Sequence, residues 1–215
     1  MNLLSICKGN GGLDKIDPSE LLNLLKDWEI IESREIYNLS RVRIEAIKNL
    51  EKHIDDNALE VSVMQHFFTK FPWILDPRII RFENEIRYSN ILKKHFPESD
   101  DTPEIDRRLD FLCVNHLGQF FVIELKRPQA KIKKKQLDQA FEYSTFIKSH
   151  LSNEYDRYVT SYIIGGHLSS DANDKETAKV YSDSRKVIFK PYEELLKQAK
   201  NYHQEFIDTY ERMKI

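Results

Sequence analysis

Three charged residues interrupt the most apolar stretch of this 215-residue chain: Asp110, Glu124 and Lys126, within LDFLCVNHLGQFFVIELKRP (109–128). The stretch reads as two apolar strands, 111–114 and 120–123, joined by a turn at Asn115-His116-Leu117-Gly118, where Gly118 is free to take a positive φ. Nearly unbroken apolar runs mark strands covered on both faces, and charges rarely enter such strands without a task or a partner. Antiparallel pairing lays the start of the first strand beside the end of the second, so Asp110 comes close to Glu124 and Lys126. Side-chain alternation puts Glu124 and Lys126 on one face and Leu125 on the other. Two carboxylates and an ammonium thus meet at one corner of an apolar sheet. Mg²⁺ or Mn²⁺ takes oxygen ligands of this kind, together with waters and phosphate oxygens. Such an ion polarises a phosphodiester and activates water, and a lysine beside it orients the attack or offsets charge developing at phosphorus.

Glu-x-Lys by itself also describes a cross-strand ion pair on a sheet edge. The flanking apolar strands, the turn and the upstream Asp favour the chemical reading. Asp106 shares the strand parity of Asp110 and is a stand-in ligand. Asn57 is expected to cap a helix over 58–71, on which Glu60 aligns with Met64, Phe67, Phe68 and Phe71. Glu60 is then either a first-turn acid favoured by the helix dipole or a further ligand reaching the acidic corner. After the hairpin, a helix is expected over 131–150, with Gln139 and Tyr143 on one face at i and i+4.

The formal charge of −2 and pI of about 6.4 do not advertise a nucleic-acid binder. The distribution does: Lys126, Arg127, Lys131, Lys133, Lys134 and Lys135 form a run of six bases without an acid. A solvated helix start is the plain reading of such a run. Its place directly after the acidic strand favours contact with phosphates, through Arg127, Lys131, Lys133, Lys134 and Lys135.

With 40% hydrophobic and 32% charged residues the composition is that of a globular chain. MNLLSICKGNGG lacks the basic and apolar regions of a secretory signal, no apolar run approaches the ~20 residues of a bilayer span, and the two cysteines, Cys7 and Cys113, form no metal-type pair. A cytoplasmic protein without membrane or structural zinc follows. Residues 1–16 read as a flexible lead. Asp17-Pro18 opens a first helix, a second runs over about 33–53, and together they make a helical lead or docking segment, 1–56, ahead of a core domain, 57–215. Further strands are expected at 79–87, 158–165 and 186–190, an acidic connection at 93–108, a cap at Asp171-Ala172-Asn173-Asp174, and a terminal helix over 191–213. The seven histidines show no ligand spacing, and no G-x-S-x-G elbow occurs.

Asp110-x13-Glu124-x-Lys126 resembles the motif of the PD-(D/E)xK nuclease superfamily, with Leu109 where that family carries a proline. Gln139-x-x-x-Tyr143 is similar to the Q-x-x-x-Y motif of its RecB-like members. LEVSVMQHFFTKFPWIL, LDF, VIELKRP, QLDQAFEY and PYEELLKQA resemble the nuclease domain of Shedu anti-phage effectors over about 58–200. The resemblance implies an α/β (α+β) fold, a restriction-endonuclease-like mixed sheet flanked by helices. It also implies Asp110, Glu124 and Glu60 as ligands of Mg²⁺ or Mn²⁺, Lys126 as support for the attack, and Gln139 and Tyr143 completing the catalytic set. Double-stranded DNA as substrate and a homo-oligomer such as a tetramer are implied in the same way. The rival reading is a catalytically silent module of this fold that binds nucleic-acid ends or a partner protein. An RNA-processing nuclease is a third, for which the sequence offers no aromatic stacking surface.

Overall fold

The computed structural model describes residues 17–98, 102–151 and 159–213. The expectations for 1–16 with Cys7, for Asp100 and Asp101, and for Tyr158 lie outside the described residues. Asp17 accepts hydrogen bonds from the Ser19 amide at 2.8 Å and the Ser19 hydroxyl at 2.7 Å, opening helix α1 (Pro18–Asp55). The two helices expected here are one, because residues 29–33 (EIIES) contain neither Gly nor Pro to stop propagation.

Asn57 does not cap the following helix. At φ 47° it ends α1: the amides of Asn57 and Ala58 return to the carbonyls of Ile54 (3.1 Å) and His53 (3.0 Å), the Schellman pattern. In place of one α-helix over 58–71 come a π-helical turn (Glu60–Gln65), the short α2 (His66–Lys70) and a 3₁₀ turn (Pro72–Ile74). There follow β1 (Ile79–Arg87), α3 (Tyr88–His95), β2 (Arg108–Asn115), β3 (Phe120–Leu125), β4 (Lys131–Ile132), α4 (Lys134–Ser149), β5 (Thr160–Gly165), β6 (His167–Leu168), α5 (Ala172–Asp183), β7 (Val187–Pro191), α6 (Tyr192–Tyr202) and α7 (Gln204–Met213).

The main sheet has the order β1-β2-β3-β5-β7. β1, β2 and β3 are antiparallel neighbours, while β3, β5 and β7 are parallel, with α4 and α5 as the crossovers that parallel pairing demands. This is the mixed α/β class expected from the sequence. The β2–β3 turn is set by Asn115, whose side chain accepts from the amides of Leu117 (2.9 Å) and Gln119 (3.1 Å), and by Gly118 at φ 74°. Both faces of the hairpin are covered. Phe111, Cys113, Phe121, Ile123 and Leu125 pack with Phe67, Phe68 and Leu195, whereas Leu112 and Val122 pack with Tyr143 and Ile147 of α4.

Two helices were hidden in stretches that read as irregular. α3 fills residues 88–92, for which no element is expected, and enters the expected acidic connection at 93–95, burying Tyr88, Ile91 and Leu92 at i, i+3 and i+4. α5 follows the expected cap, where the Asp171 carboxylate accepts from the amides of Asn173 and Asp174 at 2.8 and 3.2 Å. α4 begins at Lys134, not at 131, because Lys131 and Ile132 pair in parallel with His167 and Leu168. The terminal helix breaks at His203, so α6 and α7 are separate. The described residues fall into two units, Ala46–His203 and the described parts of Met1–Glu45 and Gln204–Ile215; the sheet lies in the first. Among the described residues no helix is long and apolar enough to cross a membrane.

Candidate active site

The strand registers place the three charged residues. Phe111 opposes Ile123, so Asp110 and Glu124, one step further along, are neighbours at the end of the β2–β3 ladder. Lys126 lies just past β3, and its backbone is tied on two sides. Its amide donates to the Ile164 carbonyl at 2.7 Å, and its carbonyl accepts from the Tyr192 hydroxyl at 3.0 Å. Tyr192 is fully buried at the start of α6 and stacks on Phe68, the ring centres 6.3 Å apart.

Lys126 Nζ donates to Glu124 Oε1 at 2.9 Å and lies 3.5 Å from Glu60 Oε1. Burial alone would lower the ammonium, but Glu124, with Glu60 and Asp110, outweighs it and leaves the lysine above its usual pKa. Glu124 is only 5% exposed. Burial pushes its carboxyl upward against the pull of Lys126, and its second oxygen, Oε2, is buried without a hydrogen-bond partner among the described residues. Asp110 accepts from the Leu125 amide at 2.8 Å and from Gln65 Nε2 at 2.6 Å. Burial first, and the Glu124 charge second, push it up to about 7.

Sequence reasoning missed Gln65 and Tyr192. Gln65 is five residues after Glu60, off the apolar stripe of an α-helical wheel. In the π-helical turn the Met64 amide bonds the Leu59 carbonyl at 3.0 Å, and residues five apart come onto one side. Glu60 and Gln65 then both address the corner, one at Lys126 and the other at Asp110. No spacing rule in the sequence signals this, since the turn departs from α-helical geometry. Tyr192 could have been suspected as a tyrosine at a helix start with a polar tip to satisfy, but its partner is set by tertiary placement.

Gln139 Nε2 donates to the Tyr143 hydroxyl, which donates to the Arg108 carbonyl at 3.3 Å. Burial and the Glu124 charge raise the Tyr143 phenol above its usual range. The pair therefore stands beside the corner, without a hydrogen bond to its carboxylates. Asp106 lies elsewhere: it accepts from the Ser89 amide (2.9 Å) and hydroxyl (3.1 Å) at the start of α3. Strand parity does not extend to it because β2 begins at Arg108.

The basic run divides as well. Arg127 donates to the Asn57 carbonyl at 3.0 Å. Lys131, Lys133, Lys134 and Lys135 are exposed around the start of α4, where the Lys134 amide is capped by Asp174 Oδ1 at 2.7 Å. An open cleft of about 450 Å³ beside them is lined by Arg107, Lys134, Lys135, Asp138, Gln139 and Glu142.

The donor set suits a hard divalent ion: two adjacent carboxylates, Glu124 buried and Asp110 half-buried, with one buried oxygen of Glu124 left unpartnered among the described residues. Among the described residues no three His, Cys, Asp or Glu side chains already converge as a metal cage. Lys126, between Glu60 and Glu124, supplies the counter-charge.

Three solved structures are similar in part. They are a repair endonuclease from Pyrococcus abyssi (17% identity over 59% of this chain and 44% of that one, TM-score 0.36), EndoMS in complex with double-stranded DNA (16%, 60% and 43%, 0.37), and EndoMS in its apo form (16%, 62% and 45%, 0.35). The chain spans less than half the length of each. No family model and no curated protein matches it.

Proposed function

We propose that this chain is a Mg²⁺- or Mn²⁺-dependent DNA endonuclease that hydrolyses phosphodiester bonds. The observation that carries the reading is the Asp110–Glu124 pair, half-buried and buried, with Lys126 Nζ 2.9 Å from Glu124 and Glu124 Oε2 unpartnered among the described residues. Asp110 and Glu124 would hold the ion, with Glu60 as a further ligand. Bound there, Mg²⁺ or Mn²⁺ supplies Lewis acidity toward a phosphate oxygen. Lys126 keeps its proton and orients the attacking water or offsets charge at phosphorus. The Gln65 amide and the Leu125 N–H fix the Asp110 carboxylate, while Tyr192 and Ile164 fix the Lys126 backbone. Gln139 and Tyr143 complete the wall of the site, and Arg127, Lys131, Lys133, Lys134 and Lys135 hold DNA phosphates. On the sequence resemblance, the protein acts on double-stranded DNA as a cytoplasmic, homo-oligomeric, tetrameric Shedu-type anti-phage effector. Incubating plasmid with the wild type in Mg²⁺ and in Mn²⁺, beside Lys126→Ala, tests the assignment. Nicked or linear product should form only with wild type and metal; product in chelator overturns the reading.

One observation favours a second reading. Lys126 ion-pairs with both Glu124 and Glu60, so the corner is partly neutralised without a metal, as in a silent module that binds nucleic-acid ends or a partner protein. Calorimetric titration separates the two, since the silent module gives no Mn²⁺ heat.

Glu60→Gln should raise the Mn²⁺ concentration for half-maximal cleavage while changing stability by at most about 1 kcal/mol, the value of a first-turn acid. A wild-type metal curve would remove Glu60 from the ligand set. Neutralising Lys131, Lys133, Lys134 and Lys135 together should weaken DNA binding and flatten its log–log salt dependence by up to ~0.9 per lost phosphate contact. Metal binding should survive, because these side chains lie outside the acidic corner. An unchanged salt slope would make the run a solvated surface.

A further inference from the structure

On the face of β3 opposite Glu124, Phe121 and Ile123 line a cavity of about 200 Å³ bounded also by β5, β7 and α6. Lys190 enters it from β7. Its Nζ donates to Gln198 Oε1 at 2.8 Å and sits 5.8 Å from the centre of the Tyr162 ring, while burial lowers its ammonium from the usual value. The one carboxylate in the lining, Asp76, is already engaged: Arg78 donates to it through Nε at 2.9 Å and Nη2 at 2.6 Å. The cavity therefore sets two cations against a single paired acid. A half-buried ammonium with donors to spare gains from an anion.

A second cavity, of about 480 Å³, shares Asp76, Arg78, Phe121 and Tyr162 with the first and adds Arg185. Together they reach the size of small-molecule sites, about 300–1,000 Å³. The walls are aromatic as well as cationic: Phe121 meets Tyr162 edge-on at 6.1 Å, and Tyr202 is exposed on the rim.

We infer that these joined cavities bind a nucleoside phosphate, with its phosphate on Lys190 and Arg78 and its base against Tyr162 and Tyr202. A bare anion would use the cations and leave the exposed Tyr202 ring unused, whereas any nucleobase stacks on an aromatic face. The site is distinct from the acidic corner. Ile123 and Glu124 are successive residues of one strand and face opposite ways, and the lining has no free carboxylate to hold a divalent ion.

The test is calorimetry on the whole chain in chelator with deoxyadenosine 5′-monophosphate, with deoxyadenosine and deoxyribose 5-phosphate as separate arms. The nucleotide should bind, each fragment about tenfold or more weaker. Lys190→Gln should weaken the nucleotide about tenfold while Asp110→Asn leaves it unchanged. Tyr202→Ala, on the exposed rim, should weaken the nucleotide and deoxyadenosine but not the sugar phosphate, and it serves if Lys190→Gln fails to fold. No nucleotide heat up to millimolar concentration overturns the site, as does deoxyadenosine binding as tightly as the nucleotide. Loss of binding in Asp110→Asn would move the nucleotide to the acidic corner and also overturn it. The outcome does not depend on whether the chain cleaves DNA.

Discussion

Lys126→Ala should abolish the proposed metal-dependent cleavage and, at pH 8, cost on the order of 3–5 kcal/mol of stability, the usual consequence of stripping one partner from a buried ion pair. Glu124 has its side chain 6% exposed, and Lys126 is its ion-pair partner at 2.9 Å. Without the ammonium the carboxylate is a buried charge among apolar strands, and protonation is its cheapest relief. The carboxyl is already raised by burial in the wild type, and losing Lys126 raises it further. The folded variant then binds a proton that the unfolded chain has released, so its stability falls as pH rises from about 4.3, the ordinary glutamate value. Urea melts at pH 5 and pH 8 should therefore show a small deficit at the lower pH and the full one at the higher. Lys126→Ala/Glu124→Gln should recover most of the stability at pH 8 and none of the cleavage. Equal stability of wild type and Lys126→Ala at pH 8 would mean that water reaches Glu124 freely.

The hairpin that carries the corner was readable because its signals are local. Apolar residues on both faces, Asn115 and Gly118 in the turn, and a side-chain period of two fix the contact of Glu124 with Lys126 before any tertiary structure is known. The same reasoning failed where periodicity stopped holding. Strand parity puts Asp106 with Asp110, but the strand begins at Arg108 and Asp106 caps α3 instead. A lysine-rich run suits a helix and puts the start of α4 at Lys131; that Lys131 and Ile132 pair with β6 depends on a strand 36 residues away. Gln65 was invisible for a different reason. A wheel drawn at the α-helical period separates it from Glu60, and only the π-helical turn brings the two to one side. Gly166 marks a further constraint that only the fold explains: a Cβ there would stand 2.3 Å from the Pro128 carbonyl oxygen, so the loop after Lys126 can pack only against glycine.

Asp110→Asn should remove both the proposed cleavage and most of the pH dependence that the acidic corner imposes on stability. In the wild type Asp110 is pushed up to about 7, against about 3.9 in an unfolded chain. Below about pH 4 the carboxyl is protonated in both states and nothing is lost. Between about 4 and 7 the folded state binds the extra proton, so stability falls with rising pH, and above 7 the whole penalty is present, on the order of 1–4 kcal/mol. Asp110 and Glu124 interact, so the slope belongs to the pair and Asn removes one member of it. Thermal melts in chelator between pH 5 and pH 8 should slope downward for wild type and run flatter for Asp110→Asn, leaving the variant the more stable at pH 8. Mn²⁺ acts in the opposite sense. A cation held by both carboxylates favours their ionised forms, and at a hundredfold excess over its dissociation constant adds about 2.7 kcal/mol to the wild type. Asn supplies one neutral oxygen in place of the carboxylate, so the same Mn²⁺ should shift the variant little. Parallel pH curves in chelator would show that Asp110 ionises like an exposed aspartate. Equal Mn²⁺ shifts in the two proteins would sink the metal assignment even if cleavage were lost, because the ion would then be bound without the side chain proposed to hold it.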